Sequence, residues 1–256
     1  MEQSFILNQN NLNIPCRVSL PPHGDIRRLV LGVHGLGGST QDAIQQSIAE
    51  EMTFFNSAVL RFDFPAHGEN PSEDLRLSDC VHTLLAAASH FRERFPAVED
   101  LCIFATGFGA YVTLLALDEL LELPGQVKLV LHTPSVRMHD TLLTMAQMSK
   151  ATFWAMDQIT FPTPRTLRIP YRFYEELEEN IALTAMPIPV LILHSEESPY
   201  IRWEDIQHFR RINDRAKLVV IPGTSHRFLE EGAWDMVLDL TRDWFSFEQV
   251  LVTDWI

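Results

Sequence analysis

The sequence predicts an α/β protein: a mostly parallel sheet of two hairpin strands and six buried ones, covered by helices on both faces. Three observations carry this prediction. Short apolar runs alternate with helix-length stretches along most of the 256 residues, the pattern of right-handed crossovers over a parallel sheet. Several of the runs end in turns rich in small residues, while Pro and Gly mark turns rather than a linker, which argues for one compact domain over 1–256 with an insertion. The start of the chain differs, with two short apolar stretches joined by an Asn-rich turn, the signature of an antiparallel edge hairpin.

Along the chain, Ser4 to Leu7 and Ile14 to Leu20 form the hairpin. Arg28 to Val33, Ser57 to Phe62, Leu101 to Ala105, Val127 to Leu131, Val190 to Leu193 and Lys217 to Ile221 are the buried parallel strands. Between them the helical stretches are Thr40 to Glu51, Ser78 to Arg94 with Ser78 as cap, Ala110 to Leu121, Glu204 to Arg211 and Glu230 to Phe245. One connection is too long for a crossover. From Pro134 to Met186 the chain carries five of its eight methionines, together with Phe153, Trp154, Phe161, Tyr171, Phe173 and Tyr174. We expect a cap over 134–186. Part of its apolar set must pack on the sheet, yet thioethers and aromatics above strand ends also suit an adaptable apolar pocket. Met138, Met145, Phe153, Trp154 and Tyr174 are the expected ligand-lining residues, and Arg165, Arg168 and Arg172 would give that pocket local positive charge.

Composition narrows the function. Twenty Lys and Arg stand against 34 Asp and Glu, a net charge of −14, which repels phosphate backbones and anionic membrane surfaces. Neither nucleic acid nor a membrane is an expected partner. Cys16, Cys80 and Cys102 are too few and scattered for a disulfide framework or a zinc site, no residues stand at metal-ligand spacing, and no apolar stretch is long enough to span a bilayer. With no basic segment ahead of the short run Phe5 to Leu7, the expectation is a cytoplasmic chain without metal or cofactor. No G-x-G-x-x-G or Walker pattern is present.

Chemistry in parallel sheets gathers beyond the carboxyl ends of the strands, and four turns stand there. They are His34-Gly35-Leu36-Gly37-Gly38, Phe62-Asp63-Phe64-Pro65-Ala66-His67-Gly68, Ala105-Thr106-Gly107-Phe108-Gly109-Ala110 and Gly223-Thr224-Ser225-His226-Arg227-Phe228. In this order and spacing the chain resembles the α/β-hydrolase superfamily from Arg28 to Phe245, and within it the serine esterases, most of all the bacterial cinnamoyl and feruloyl esterases and related carboxylesterases. The resemblance implies an esterase-like site: a Ser at the elbow G-x-S-x-G, a His base and an Asp or Glu that orients it. It places the nucleophile position at Gly107, the base at His226 and the oxyanion donors on the backbone N–H groups of Leu36 and Phe108. His34, His67 and His194, in the motif turns, are expected to make loop hydrogen bonds.

The chain departs from that pattern twice. Glycine at 107 has no atom that can attack, and the aligned acid position in His194-Ser195-Glu196-Glu197-Ser198 holds Ser198. Glu197 is the neighbouring carboxylate that would serve if the loop shifted, with Glu196 and Asp140 as further substitutes. Three functions are compatible with these departures: a serine esterase of small apolar or aromatic esters inactivated at position 107; a degenerate member that binds a carboxylic acid, an ester or a partner protein without turnover; or a very slow hydrolase in which His226 activates water. An exposed aromatic face on the cap would allow a homodimer.

Overall fold

The structure, a computed structural model, describes residues 1–9, 11–226, 228 and 230–246. Arg227 of the fourth motif turn lies outside them. The hairpin is longer than the sequence suggested: β1 (Glu2–Gln9) and β2 (Leu12–Ser19) pair antiparallel over their whole length. β1 is an edge strand with mostly exposed side chains, so apolar patterning under-reports its extent, whereas β2 buries Ile14, Cys16 and Val18.

The buried runs form β3 (Arg28–Val33), β4 (Ser57–Phe62), β5 (Asp100–Thr106), β6 (Gln126–His132), β9 (Val190–Glu197) and β10 (Ala216–Ser225). With the hairpin they make one eight-stranded sheet in the order β1-β2-β4-β3-β5-β6-β9-β10, parallel throughout except at β1 and β2. Helix α1 (Ala43–Phe54) packs on one face with α9 (Ala233–Ser246), around Val30, Val59, Phe104, Val130 and Leu193. Helices α2 (Leu77–Arg94), α3 (Phe108–Leu115) and α4 (Leu117–Leu121) cover the other face, over Leu31, Leu60, Ile103 and Leu129. Alternate residues of each strand thus enter two separate cores, as the period of two requires.

Two helix boundaries correct the sequence reading. Ser78 is not the cap of α2: the helix begins at Leu77, whose N–H is taken by the Glu176 carboxylate at 2.6 Å from a segment a hundred positions away, a partner that local sequence cannot announce. The stretch Ala110 to Leu121 breaks at Ala116 into α3 and α4.

Residues between β6 and β9 form α5 (Met138–Ala146), α6 (Lys150–Met156), the antiparallel pair β7 (Gln158–Phe161) and β8 (Leu167–Pro170), and α7 (Tyr171–Glu179). This segment is zipped to the loop after β4. Arg165 donates to the carbonyls of Gly68, Asn70 and Ser72, Arg168 pairs with Glu73, and Arg172 with Asp74. Arg168 and Arg172, expected to charge a pocket, instead form surface ion pairs, while half-buried Arg165 lies near enough to His67 to act on its charge. α8 (Trp203–Ile212) completes the chain between β9 and β10.

Candidate active site

The elbow comes first. Gly107 sits between β5 and α3 at φ +50° and ψ −107°, a region closed to residues with a Cβ unless the surroundings enforce it and open to glycine at no steric cost. Its N–H donates to the His132 carbonyl at 2.9 Å, and its own carbonyl accepts from Tyr111 at 3.1 Å, the first turn of α3. Gly109 explains how close the elbow lies to the neighbouring strand: any Cβ there would run into the carbonyls of Val33 and His34. The sharp strand-to-helix turn therefore comes from backbone and two glycines, and it stands without a serine.

The donors lie beside it. Gly35 rests against Thr106, with its side-chain direction 3.5 Å from the Thr106 carbonyl, so the His34-to-Gly38 loop flanks the elbow. No hydrogen bond among the described residues uses the N–H of Leu36 or of Phe108. Two unpaired amides next to a strand-to-helix turn form the geometry that holds a carbonyl or carboxyl oxygen. His34 fixes its own loop: its Nδ1 bonds the Gly35 carbonyl at 2.8 Å and its Nε2 accepts the N–H of Phe64 at 3.1 Å. His67 donates from Nδ1 to the Pro65 carbonyl and stacks on Phe108 with ring centroids 6.2 Å apart. These two histidines serve as loop fasteners.

His226 follows β10, and its Nδ1 meets Ser198 Oγ at 3.1 Å; that hydroxyl also accepts the N–H of Ile201 at 3.3 Å. The Tyr200 ring stands edge-on to the imidazole at 5.1 Å. The substitute acids are placed elsewhere. Glu197 is exposed at the end of β9, Glu196 accepts the N–H of Gly223 at 2.7 Å, and Asp140 pairs with His139 and Arg202 at 3.4 Å each. The loop has not shifted to bring Glu197 round, because Ser198 already occupies the place facing the ring. A hydroxyl orients an imidazole but carries no charge to stabilise the imidazolium that proton transfer would create.

Sequence reasoning missed His132 and gave His194 only a loop role. His132 ends β6 and His194 lies within β9, and both stand close enough to His226 to feel its charge. His132 is buried between Phe104 and Phe228, centroids 5.8 and 4.4 Å away, and neither ring nitrogen finds a partner among the described residues. Burial first, then the nearby His226 and His194, pushes its pKa down to about 3. Burial and His226 likewise bring His194 down to about 4, and burial holds His67 at about 3. These three imidazoles are therefore neutral at pH 7. An alternation rule would have flagged His132 as a polar residue at an inward position of a buried strand.

The expected ligand-lining set divides. Met138, Phe153 and Tyr174 are buried, with Phe153 edge-on to Tyr171 and packed against Tyr174, so these aromatics form the inner packing of the segment between β6 and β9. Met145 is half-buried on α5. Trp154 is 68% exposed; one step along α6 from Phe153, it points to solvent and not into a pocket. No cluster of three metal-ligating side chains occurs among the described residues, and no helix among them is long and apolar enough to cross a membrane. The three cysteines are free and buried.

This architecture matches known proteins. The model of the alpha/beta hydrolase family matches residues 30–240, and the chain belongs to that family. A putative hydrolase from Agrobacterium vitis superposes with a TM-score of 0.80 at 17% identity, over 96% of this chain and 98% of that one. Est1E from Butyrivibrio proteoclasticus, in its structure with ferulic acid bound, gives 0.79 at 16% identity over 93% and 96%. Alpha/beta hydrolase domain-containing protein 10 from mouse gives 0.73 at 17% over 94% and 97%. No curated protein matches by sequence. At these identities the solved structures share the fold.

Proposed function

We propose that this protein binds a small carboxylic ester or carboxylic acid with an apolar or aromatic body, in the cleft at the strand ends, without acyl transfer. One observation carries the reading: the elbow keeps its backbone geometry and its flanking amides while residue 107 supplies no nucleophile. Binding by unpaired N–H groups needs only the part that is retained. Acyl transfer needs a hydroxyl and a base whose positive form is stabilised. The ferulic acid held by the similarly folded Est1E supports an aromatic acid or its ester as ligand. The segment 134–186 serves in this reading as a cap over the cleft, its inner aromatics setting how deep an apolar body can enter. A reducing, cytoplasmic setting suits the three free, buried thiols.

The experiment is a melting curve with methyl cinnamate or cinnamic acid, run beside a product assay. The expected outcome is a ligand-dependent rise in Tm with no methanol released. A Tm unmoved at millimolar ligand contradicts binding, and steady release of methanol contradicts the loss of turnover.

A further inference from the structure

The space beside Gly107 has a chemistry of its own, which narrows the proposed ester or acid ligand and rests on that reading of the cleft. A Cβ built on Gly107 would meet, among the described residues beyond its chain neighbours, a single atom within 4 Å: the Thr133 carbonyl oxygen, at 4.0 Å. A group the size of a hydroxyl therefore fits there against that oxygen. No hydrogen bond among the described residues reaches the Thr133 carbonyl. Thr133 is 1% exposed, and its own Oγ1, like that of Thr106 on the other side of the elbow, is buried without a partner.

Thr133 is also strained. A β-branched residue at φ +44° lies outside its ordinary range, at a cost of about 1–3 kcal/mol that the surroundings must hold in place. The restraint is visible: its N–H donates to the Leu193 carbonyl at 2.7 Å. This anchors Thr133 through the peptide that precedes it, next to the one that carries the carbonyl. Strain at a site edge, holding an unpaired acceptor toward a cleft, is the form in which binding sites store preorganisation.

The polarity then selects the ligand. An acceptor oxygen repels a carboxylate oxygen and is left unsatisfied by a methyl or methylene, whereas an O–H group satisfies it. Across the elbow, the Leu36 and Phe108 amides are donors and take a carbonyl oxygen. One ligand offers partners to both walls when it carries a carbonyl oxygen and a hydroxyl together, and the most compact such pairing puts the hydroxyl on the carbon next to the carboxyl carbon. We infer that Gly107 and the Thr133 carbonyl form a hydroxyl subsite, and that the ligand is an α-hydroxy carboxylic ester or acid. The O–H that a serine would supply at this point comes from the ligand.

The test compares methyl mandelate with methyl phenylacetate, which differ by that hydroxyl alone, by calorimetric titration of the full chain and of Gly107→Ala, whose methyl fills the space. The wild-type chain should bind mandelate about tenfold more tightly or better, as one satisfied buried acceptor predicts, and Gly107→Ala should bring the ratio close to one. Gly107→Ser, which fills the space with its own hydroxyl, should do the same and stands in if the alanine variant does not fold. Equal binding of both esters by the wild-type chain overturns the hydroxyl subsite and leaves the ester reading intact, as does a preference that survives in both variants. Binding of neither ester overturns both.

Discussion

The elbow and the histidine loop are built from different material. Around Gly107 every functional group belongs to the backbone: the Leu36 and Phe108 amides, the His132 and Thr133 carbonyls, and the turn itself. At His226 the chemistry is carried by a side chain, and its Nδ1 meets the hydroxyl of Ser198. Substitution removes side-chain chemistry one residue at a time, whereas backbone chemistry persists as long as the fold does. In the proposed reading the chain retains a place to hold an acyl oxygen and lacks the serine that would attack the acyl carbon. The proposed binding without turnover rests on that asymmetry.

The sharpest way to break the comparison is to restore the side-chain half on the intact backbone half. In a Gly107→Ser background, adding Ser198→Asp should raise kcat for a nitrophenyl ester by on the order of 10³–10⁴, the scale set by loss of the orienting carboxylate in serine hydrolases. Ser198→Asp alone, with glycine retained at 107, should give no acyl-enzyme. If aspartate at 198 adds nothing to the serine variant, then the hydroxyl that faces His226 is not standing in the acid's place, and the two halves do not belong to one site.

Much of this was legible in the sequence, for reasons that can be traced to particular residues. The bounds of β3 and β4 agree with Arg28 to Val33 and Ser57 to Phe62 because both strands are buried on two faces, which makes the apolar run continuous and its ends abrupt. The exposed edge strand β1 gave a weaker signal and came out short. The turns that carry Leu36, Gly107, Phe108 and His226 were legible as turns at strand ends because turn chemistry is local. The resemblance placed Ser198 at the aligned acid position, and Ser198 meets His226; whether Glu197 could take that place was not legible, since which residue faces an imidazole 28 positions away depends on where β9 ends. The same limit applies to the Arg165, Arg168 and Arg172 bridges and to the Glu176 contact with Leu77, all of which join segments roughly a hundred positions apart. Trp154 and Phe153 are identical to an apolar count and opposite in a helix, one exposed and one buried.

A smaller effect sharpens the comparison from below. His67, His132 and His194 are held neutral, far below their ordinary 6.5. The unfolded chain takes up protons that the fold refuses once the pH drops below about 6.5, so their contribution is complete above that value and is lost progressively toward pH 3–4. Tm should fall as the pH is lowered from 7 to 5. His132→Phe, which places a third ring between Phe104 and Phe228 and removes two unpartnered nitrogens, should make that fall shallower and leave Tm at pH 7 unchanged or slightly higher. The Gly107 N–H bond to the His132 carbonyl does not involve the side chain, so the elbow should survive. A steeper pH dependence in the variant would contradict the buried, neutral state of this ring.

The most direct measurement of the central claim is intact mass after incubation with a serine-directed fluorophosphonate, for the chain as it stands and for Gly107→Ser. A chain that retains the backbone half and lacks the nucleophile stays unmodified, while the serine variant gains one adduct at residue 107. Labelling of the unaltered chain, at Ser198, Ser225 or elsewhere in the cleft, would show a working nucleophile and contradict the assignment of this site as one that binds without acyl transfer.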